Sequence, residues 1–258
     1  MSVRSARLMR VIVSVVILCA ASAGCRRVPD VFYASAEIGA KIIRIEVQDA
    51  NQITTKLIGE TGTTGCISMA LSPSGTLYSL CGPGVLNPGA QQLATIDLRT
   101  GHANIFGTVV NGLRIMTVKF APDGTLYAAG DADPKSPTFN SLYSLDTKTG
   151  VPTRIGPTGV SSFFMDFAFD RKGMMYGATS RTLYTIDRKT GEATKIADFV
   201  GGGDIMGLAF NQDDSKLYAT DFKTPISDFY LVDSKKGLLT PIASTGYANS
   251  HNLVLANR

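Results

Sequence analysis

The chain has 258 residues, 44% apolar, 18% charged and 8% aromatic, with 26 Gly, 11 Pro, four Cys, two His and no Trp. That is ample for a packed core and too little charge for a disordered or fibrous chain; two imidazoles exclude a His-rich metal cluster, and the lack of Trp excludes a platform of stacked indoles. The formal net charge of +4 makes no case for nucleic acid, because Arg4, Arg7 and Arg10 fall in a segment read below as removable, leaving 22 basic residues (25 less three) against 21 acidic ones and no basic face to meet phosphate.

Residues 1–24 read as an export signal. Three Arg and no acid precede the apolar run Val11–Ala21, and small residues lead to Cys25, which is the order of a secretory signal. A run of about 11 residues is short of the ~20 that cross hydrocarbon. Ala23-Gly24-Cys25 is similar to the lipobox of bacterial lipoproteins, which implies lipidation of Cys25 as the mature first residue, although Ser22 stands where that motif usually has Leu. Cleavage after Ala21-Ser22-Ala23 is the alternative and would release a soluble secreted or periplasmic protein. Either reading places the mature chain outside the cytoplasm, the first as a lipid-anchored protein of a bacterial cell envelope. Residues 25–30 then form a short tether and 31–258 the folded domain.

From there the chain repeats. Leu71-Ser-Pro-Ser-Gly-Thr-Leu-Tyr78, Phe120-Ala-Pro-Asp-Gly-Thr-Leu-Tyr127, Phe169-Asp-Arg-Lys-Gly-Met-Met-Tyr176 and Phe210-Asn-Gln-Asp-Asp-Ser-Lys-Leu-Tyr218 each read as a strand, a tight turn and a second strand, with Val31-Phe-Tyr33 as a fifth copy of the second half. Each is followed by a third strand ending in an acid, namely Ile42-Ile-Arg-Ile-Glu46, Leu93-Ala-Thr-Ile-Asp97, Leu142-Tyr-Ser-Leu-Asp146, Leu183-Tyr-Thr-Ile-Asp187 and Phe229-Tyr-Leu-Val-Asp233. Four of these acids lie four residues before a Gly and a fourth strand. Period-2 patterning and β-branched and aromatic enrichment favour strands a to d in every repeat, all-β with no helix.

Four-stranded repeats spaced 41 to 51 residues apart fit the blade of a β-propeller. The N-terminus supplies strands b, c and d without an a, and Asn252-Leu-Val-Leu-Ala256 supplies an a alone, so the two ends predict one shared blade and a closed ring of five. Closure removes exposed strand edges. Through these Leu-Tyr and Leu-Tyr-x-Ile-Asp runs the sequence resembles the broad superfamily of bacterial secreted propellers with NHL-like or YVTN-like repeats, which includes gluconolactonase, regucalcin-type and streptogramin-lyase propellers. The motifs that carry the resemblance are architectural.

Length variation sits in the b–c loops, which share a face with the d–a connections, while the opposite face holds the tight a–b and c–d turns. Variable loops on a rigid scaffold carry binding residues, so the b–c face is the expected functional face, with Asp131, Asp133, Asp221 and Asp228 as candidate contacts for a protein, peptide or glycan.

Strand a lines the channel. One row across the blades reads Ile67, Met116, Met165, Met206 and His251; the next reads Ser68, Thr117, Asp166, Gly207 and Asn252. Three thioethers and an imidazole suit Cu(I), but alternation places that row with Met69, Val118, Phe167, Leu208 and Leu253 on a packing face, where Met serves as filler. Regucalcin-type propellers hold a divalent cation at the channel mouth, and the resemblance makes Asp166, Asn252 and Asp204 the candidate ligands here; a hydrated polar channel is the alternative, since one or two carboxylates are little charge for Ca²⁺. The repeated acids read as turn formers that accept backbone N–H bonds, and the repeated Tyr as blade-to-blade packing. Gly201-Gly-Gly203 reads as a flexible inter-blade loop, and His102 as solvated.

Cys66 and Cys81 face each other if the first a–b hairpin pairs Leu71 with Thr76. In an oxidising compartment they form a disulfide; free thiols are the alternative. Two functions follow: a non-enzymatic envelope lipoprotein that binds through its b–c face, or a metal-dependent lactonase or lyase at the channel mouth, with Asp166 and His251 as catalytic candidates.

Overall fold

The structure, a computed structural model, describes residues 28–49, 52–63, 65–82, 91–107, 113–130, 135 and 138–256. The expected export signal and Cys25 lie outside the described residues. Within them β1 (Asp30–Ala36), β2 (Lys41–Asp49) and β3 (Gln52–Glu60) come first. The next sheet holds β4 (Ser68–Leu71), β5 (Leu77–Cys81), β6 (Gln92–Ile96) and β7 (Ala103–Ile105), and the one after it β8 (Ile115–Phe120), β9 (Leu126–Gly130), β10 (Ser141–Leu145) and β11 (Pro152–Pro157). Then come β12 (Asp166–Phe169), β13 (Met175–Ala178), β14 (Thr182–Ile186) and β15 (Ala193–Asp198), followed by β16 (Asp204–Phe210), β17 (Leu217–Phe222), β18 (Asp228–Val232), β19 (Leu239–Ser244) and the final β20 (His251–Leu255).

Four sheets keep chain order; the fifth runs β20-β1-β2-β3. The last strand thus closes the ring against the first, pairing Phe32 with Leu255 and Ala34 with Leu253. This is the five-bladed propeller expected from the repeats. We number the blades from the one that begins with β4; the blade built from both ends of the chain is the fifth.

The blades cohere because each buries apolar side chains on both faces. Among the described residues five core clusters occur, one at each junction: Leu80 and Leu93 of the first blade meet Val118 and Leu126 of the second, and Phe32 and Ile45 of the fifth meet Tyr218 and Phe229 of the fourth. The repeated tyrosines sit in these junctions. Tyr78 lies edge-on to Phe120 at 5.4 Å, Tyr176 to Phe210 at 5.0 Å and Tyr218 to Phe32 at 5.3 Å, while Tyr127 leans on Phe169 at 5.8 Å. Such ring pairs add ~1 kcal/mol beyond their area. Strands next to the axis are almost wholly buried, whereas the outermost, such as β3, expose alternate residues.

Four of the five repeated acids form the c–d turns; the fifth, Glu46, does not, because β2 runs on past it to Asp49, so that it stands opposite Thr54 within the β2–β3 ladder and pairs with Arg44. Asp97 accepts from Arg99 N–H at 2.7 Å, Asp146 from Lys148 and Thr149, Asp187 from Lys189 and Thr190, and Asp233 from Lys235 and Lys236. These backbone bonds hold all four carboxyls below the usual carboxylate range. The turns then dock on the preceding blade: a Cβ added at Gly59 of β3 would lie 1.8 Å from the Thr100 carbonyl oxygen.

Candidate functional site

A bulge near the start of strand a decides what reaches the channel. In the second blade Ile115 pairs with Gly130 and Thr117 with Ala129, so Met116 is an extra residue; in the fourth, Met206 is extra between Ile205 and Gly207. In the third, Met165 N–H bonds to the carbonyl of Ala178, the residue that already faces Asp166. In the fifth the bulge falls at Asn252, which adopts φ of 42°. An extra residue shifts the side-chain phase. The alternation expected from the sequence, with the methionine row buried on a packing face, therefore does not hold: Met69, Val118, Phe167, Leu208 and Leu253 are fully buried, but Met116, Met165 and Met206 are only half-buried.

The same irregularity rescues the cysteine pairing. Leu71 pairs with Leu77, not with Thr76, so the hairpin register differs by one residue from the expected one. Ile67 occupies the bulge position, and the second one-residue offset brings Cys66 back opposite Cys81, to which it is disulfide-bonded.

Next to the methionine row along strand a lies a polar knot centred on Asp166. Asp166 is fully buried on β12. Its Oδ1 accepts from Thr117 Oγ1 at 3.2 Å and from its neighbour Phe167 N–H at 2.8 Å; its Oδ2 accepts from Leu208 N–H at 2.8 Å and Leu253 N–H at 2.9 Å. Lys119 of β8 sets its ammonium 2.9 Å from Oδ1 and donates also to the Leu253 carbonyl at 2.8 Å. Burial pushes the Asp166 carboxyl up, against the pull of that ammonium and the two amides. Asn252 ties the strands together one layer nearer the mouth: its Oδ1 accepts from Met69 N–H at 2.7 Å, and its Nδ2 donates to the carbonyls of Met165 at 2.9 Å and Met206 at 3.5 Å.

Asp166 and Asn252, two of the residues proposed as cation ligands, are thus neighbours, but a lysine ammonium stands beside the carboxylate. Asp204, the third, is half-exposed and paired with Arg181 at 2.8 Å. Among the described residues no group of three or more His, Cys, Asp and Glu converges as a metal cage. His251 lies at the mouth, buried, with its Nε2 lacking a hydrogen-bond partner; Phe222 meets its ring edge-on at 5.5 Å.

Lys119 is the residue that sequence reading missed. The signal was present, since the equivalent positions are Ala70, Ala168, Ala209 and Val254 and only this blade carries a charge there. Beyond the knot a cavity of about 570 Å³ opens at the a–b turn end, lined by Leu71, Phe120, Phe169, Leu255, Arg171 and Gln212. The face expected to hold nothing but tight turns therefore has a concavity, because the turns stand up around the axis like a collar.

On the b–c face, Asp131 and Asp133 lie outside the described residues. Asp221 and Asp228 frame the loop between β17 and β18. Asp221 is buried, accepts from Asp228 N–H at 2.7 Å and from the Tyr230 hydroxyl at 2.9 Å, and has its carboxyl pushed up by burial. Asp228 pairs with Lys223 at 2.6 Å. Around this frame Phe222 and Ile226 are 40% and 39% exposed. The β1–β2 loop adjoins it, since Lys223 O accepts from Asn249 N–H and Ala248 O from Glu37 N–H. Next to Glu37 stands Ile38, 48% exposed at φ of 58°, a conformation strained for a β-branched side chain.

The fold resembles known propellers at low identity. A chain of a nidogen/laminin complex superposes with a TM-score of 0.55 at 10% identity over 88% of this chain and 98% of that one. A gluconolactonase from Xanthomonas campestris superposes with a TM-score of 0.50 at 13% identity over 88% and 80%. No curated protein matches the sequence. The family described as "Repeat of unknown function (DUF6923)" matches residues 32–233, the span from the first buried aromatic of β1 to the last turn acid. With most of the propeller inside that match, the chain belongs to this repeat family.

Proposed function

We propose that this protein is an exported, lipid-anchored propeller that works as a binding module, taking a protein or peptide partner on its b–c face. The observation that carries the reading is three exposed apolar side chains on adjoining loops: Phe222 and Ile226 at the β17–β18 loop, which Asp221 braces from beneath, and Ile38 on the β1–β2 loop, linked to it through the backbone of Ala248 and Asn249. Apolar side chains that could have been turned inward, one of them in a strained backbone, mark a contact surface. Lys223, Asp228 and Glu37 rim the patch with both charges, the apolar centre and polar edge of a protein interface. The nidogen/laminin likeness supports the fold's capacity for this role and no more. The lipobox-like Ala23-Gly24-Cys25 supports an envelope address.

The lactonase or lyase reading needs Asp166 to hold a cation, and Lys119 already neutralises that carboxylate. The binding reading is tested by capture from envelope extracts on immobilised mature protein. A specific partner should be lost from the Phe222→Ser/Ile226→Ser variant and kept by Gln212→Ala at the opposite end. Capture indifferent to the first change, or abolished by the second, would overturn it. Metabolic labelling with a fatty acid, abolished by Cys25→Ala, tests the anchor.

A further inference from the structure

The cavity at the a–b turn end takes no part in the proposed contact face, which lies at the other end of the axis. Its cause is in strand a. The position level with Lys119 is alanine in three blades, Ala70, Ala168 and Ala209. The large side chains one step further on, Leu71, Phe120, Phe169, Phe210 and Leu255, each turn into a different junction core. Small residues at one level and outward packing at the next leave the axis open. The resulting volume of about 570 Å³ falls within the range of pockets that enclose small molecules.

The rim is braced from blade to blade. Arg171, in the a–b turn of the third blade, donates from Nε to Asp214 at 3.1 Å and from Nη2 to the Asp213 carbonyl at 2.9 Å, both in the turn of the fourth. Arg188 of the third blade donates to Asp123 in the turn of the second at 2.6 Å, and Asn211 Nδ2 of the fourth reaches Asp30 of the fifth at 3.4 Å. The collar is thus preformed, and a ligand need not order it.

The lining has two chemical zones. Its walls are apolar, with Phe120, Phe169, Leu208, Leu253 and Leu255. Among the described residues the charged ones that line it are Lys119 and Arg171, both cations, whereas their partners Asp166 and Asp214 are not part of the lining. Lys119 has its ammonium committed to Asp166 and the Leu253 carbonyl, so it lends the floor its methylene stem. Arg171 stands at the rim with its side chain 62% exposed and bonds its neighbours through Nε and Nη2, which leaves Nη1 to meet an acid. Apolar depth under a single exposed cation suits an amphiphile with one hydrocarbon chain and an anionic head.

We propose that this cavity binds a single-chain carboxylate amphiphile of the fatty-acid class, its tail along the axis toward Lys119 and its carboxylate at Arg171. The lipid-anchored reading would hold this end to the bilayer, since Cys25 precedes Asp30 by five residues, at most about 18 Å of extended chain, and Val31 bonds to Ala256 on the cavity wall. The site itself does not depend on the anchor.

The test is calorimetric titration of the unlipidated mature chain, carrying Cys25→Ala, with octanoate, decanoate and dodecanoate below their micellar concentrations; a failed anchor then leaves the result untouched. One equivalent should bind saturably, about fourfold tighter for each added methylene. Arg171→Gln should weaken decanoate several-fold and leave decanol unchanged, whereas Ala209→Leu, which fills part of the cavity, should weaken both. In methyl-labelled protein without further substitution, decanoate should shift Ala168, Ala209 and Leu255 and leave Ile38 and Ile226 in place, a readout that needs no variant to fold. No saturable binding, affinity indifferent to chain length, an Arg171→Gln loss equal for acid and alcohol, undiminished binding in the folded Ala209→Leu protein, or shifts at Ile38 and Ile226 instead would each overturn the proposal.

Discussion

Lys119 reaches from the second blade to Asp166 on the third, with its ammonium 2.9 Å from Oδ1, and both side chains are buried. The pair joins blades through the axis, where no sheet hydrogen bond runs between them. Asp166 is satisfied by donors from four blades in all, and Lys119 has a second acceptor in Leu253 O.

Removing one partner of such a pair leaves a buried charge without compensation. Lys119→Met should cost about 3–5 kcal/mol in urea unfolding, a large part of the stability of a domain this size. Lys119→Met/Asp166→Asn should cost less than the sum of the two single changes, because the second substitution removes the charge that the first exposes. Additive losses would show that the ammonium and carboxylate do not act as a unit.

The junctions make a different demand. A methyl group at Gly59 would overlap the Thr100 carbonyl, which is backbone and cannot swing aside. Gly59→Ala should therefore force the fifth and first blades apart and cost about 1–3 kcal/mol or more. Gly75 is the comparison: its φ is 86° but nothing lies within 4 Å of its added Cβ, so Gly75→Ala should show only the backbone cost of about 1–2 kcal/mol. Thermal melts of the two variants decide this, and a Gly59→Ala protein as stable as wild type would mean the junction yields easily.

How much of this was legible follows from range. The turn acids recur in four blades and the strand-b tyrosines in five, so each copy confirms the others in the bare sequence, and the ring closure follows from the one blade whose strand a is supplied by the far end of the chain. The polar knot is built once, around the Lys119–Asp166 pair 47 residues apart, and repetition says nothing about a feature that occurs once. The bulges escaped for another reason. Period-2 reading assumes that no residue is inserted, and Met116, Met165 and Met206 look like regular strand residues until the pairing register is known. The exposed Ile38 carries no signal in its neighbours, because a strained φ is set by the fold around it.

The disulfide spans 15 residues and closes the first a–b hairpin at its open end. In the chain-entropy account a loop of that length is worth about 3 kcal/mol, and less here because the hairpin is already local. Cys66→Ala/Cys81→Ala should lower stability by about 2 kcal/mol. A reductant should lower the melting temperature of the wild type and leave that of the variant where it is; equal sensitivity of both proteins would show that the bridge does not contribute.

His251 sets the pH dependence near neutrality. Its pKa is about 4 in the folded protein, lowered by burial from 6.5 for the free side chain. Above pH 6.5 both folded and unfolded chains hold a neutral ring, and stability is at its full value. Between 6.5 and about 4 the unfolded chain takes up the proton and the folded one does not, so stability falls with pH; below about 4 this loss levels off. The full effect is at most about 3 kcal/mol, from 1.36 kcal/mol per pKa unit. The turn acids Asp97, Asp146, Asp187 and Asp233, all held below 3.8, lose their contribution only at more acid pH, so the two windows separate. Urea unfolding of wild type and His251→Gln from pH 7 to 4 should give curves that converge as the pH falls, because only the wild type has the imidazole to charge. Parallel curves across that range would place the His251 proton affinity close to that of an exposed ring.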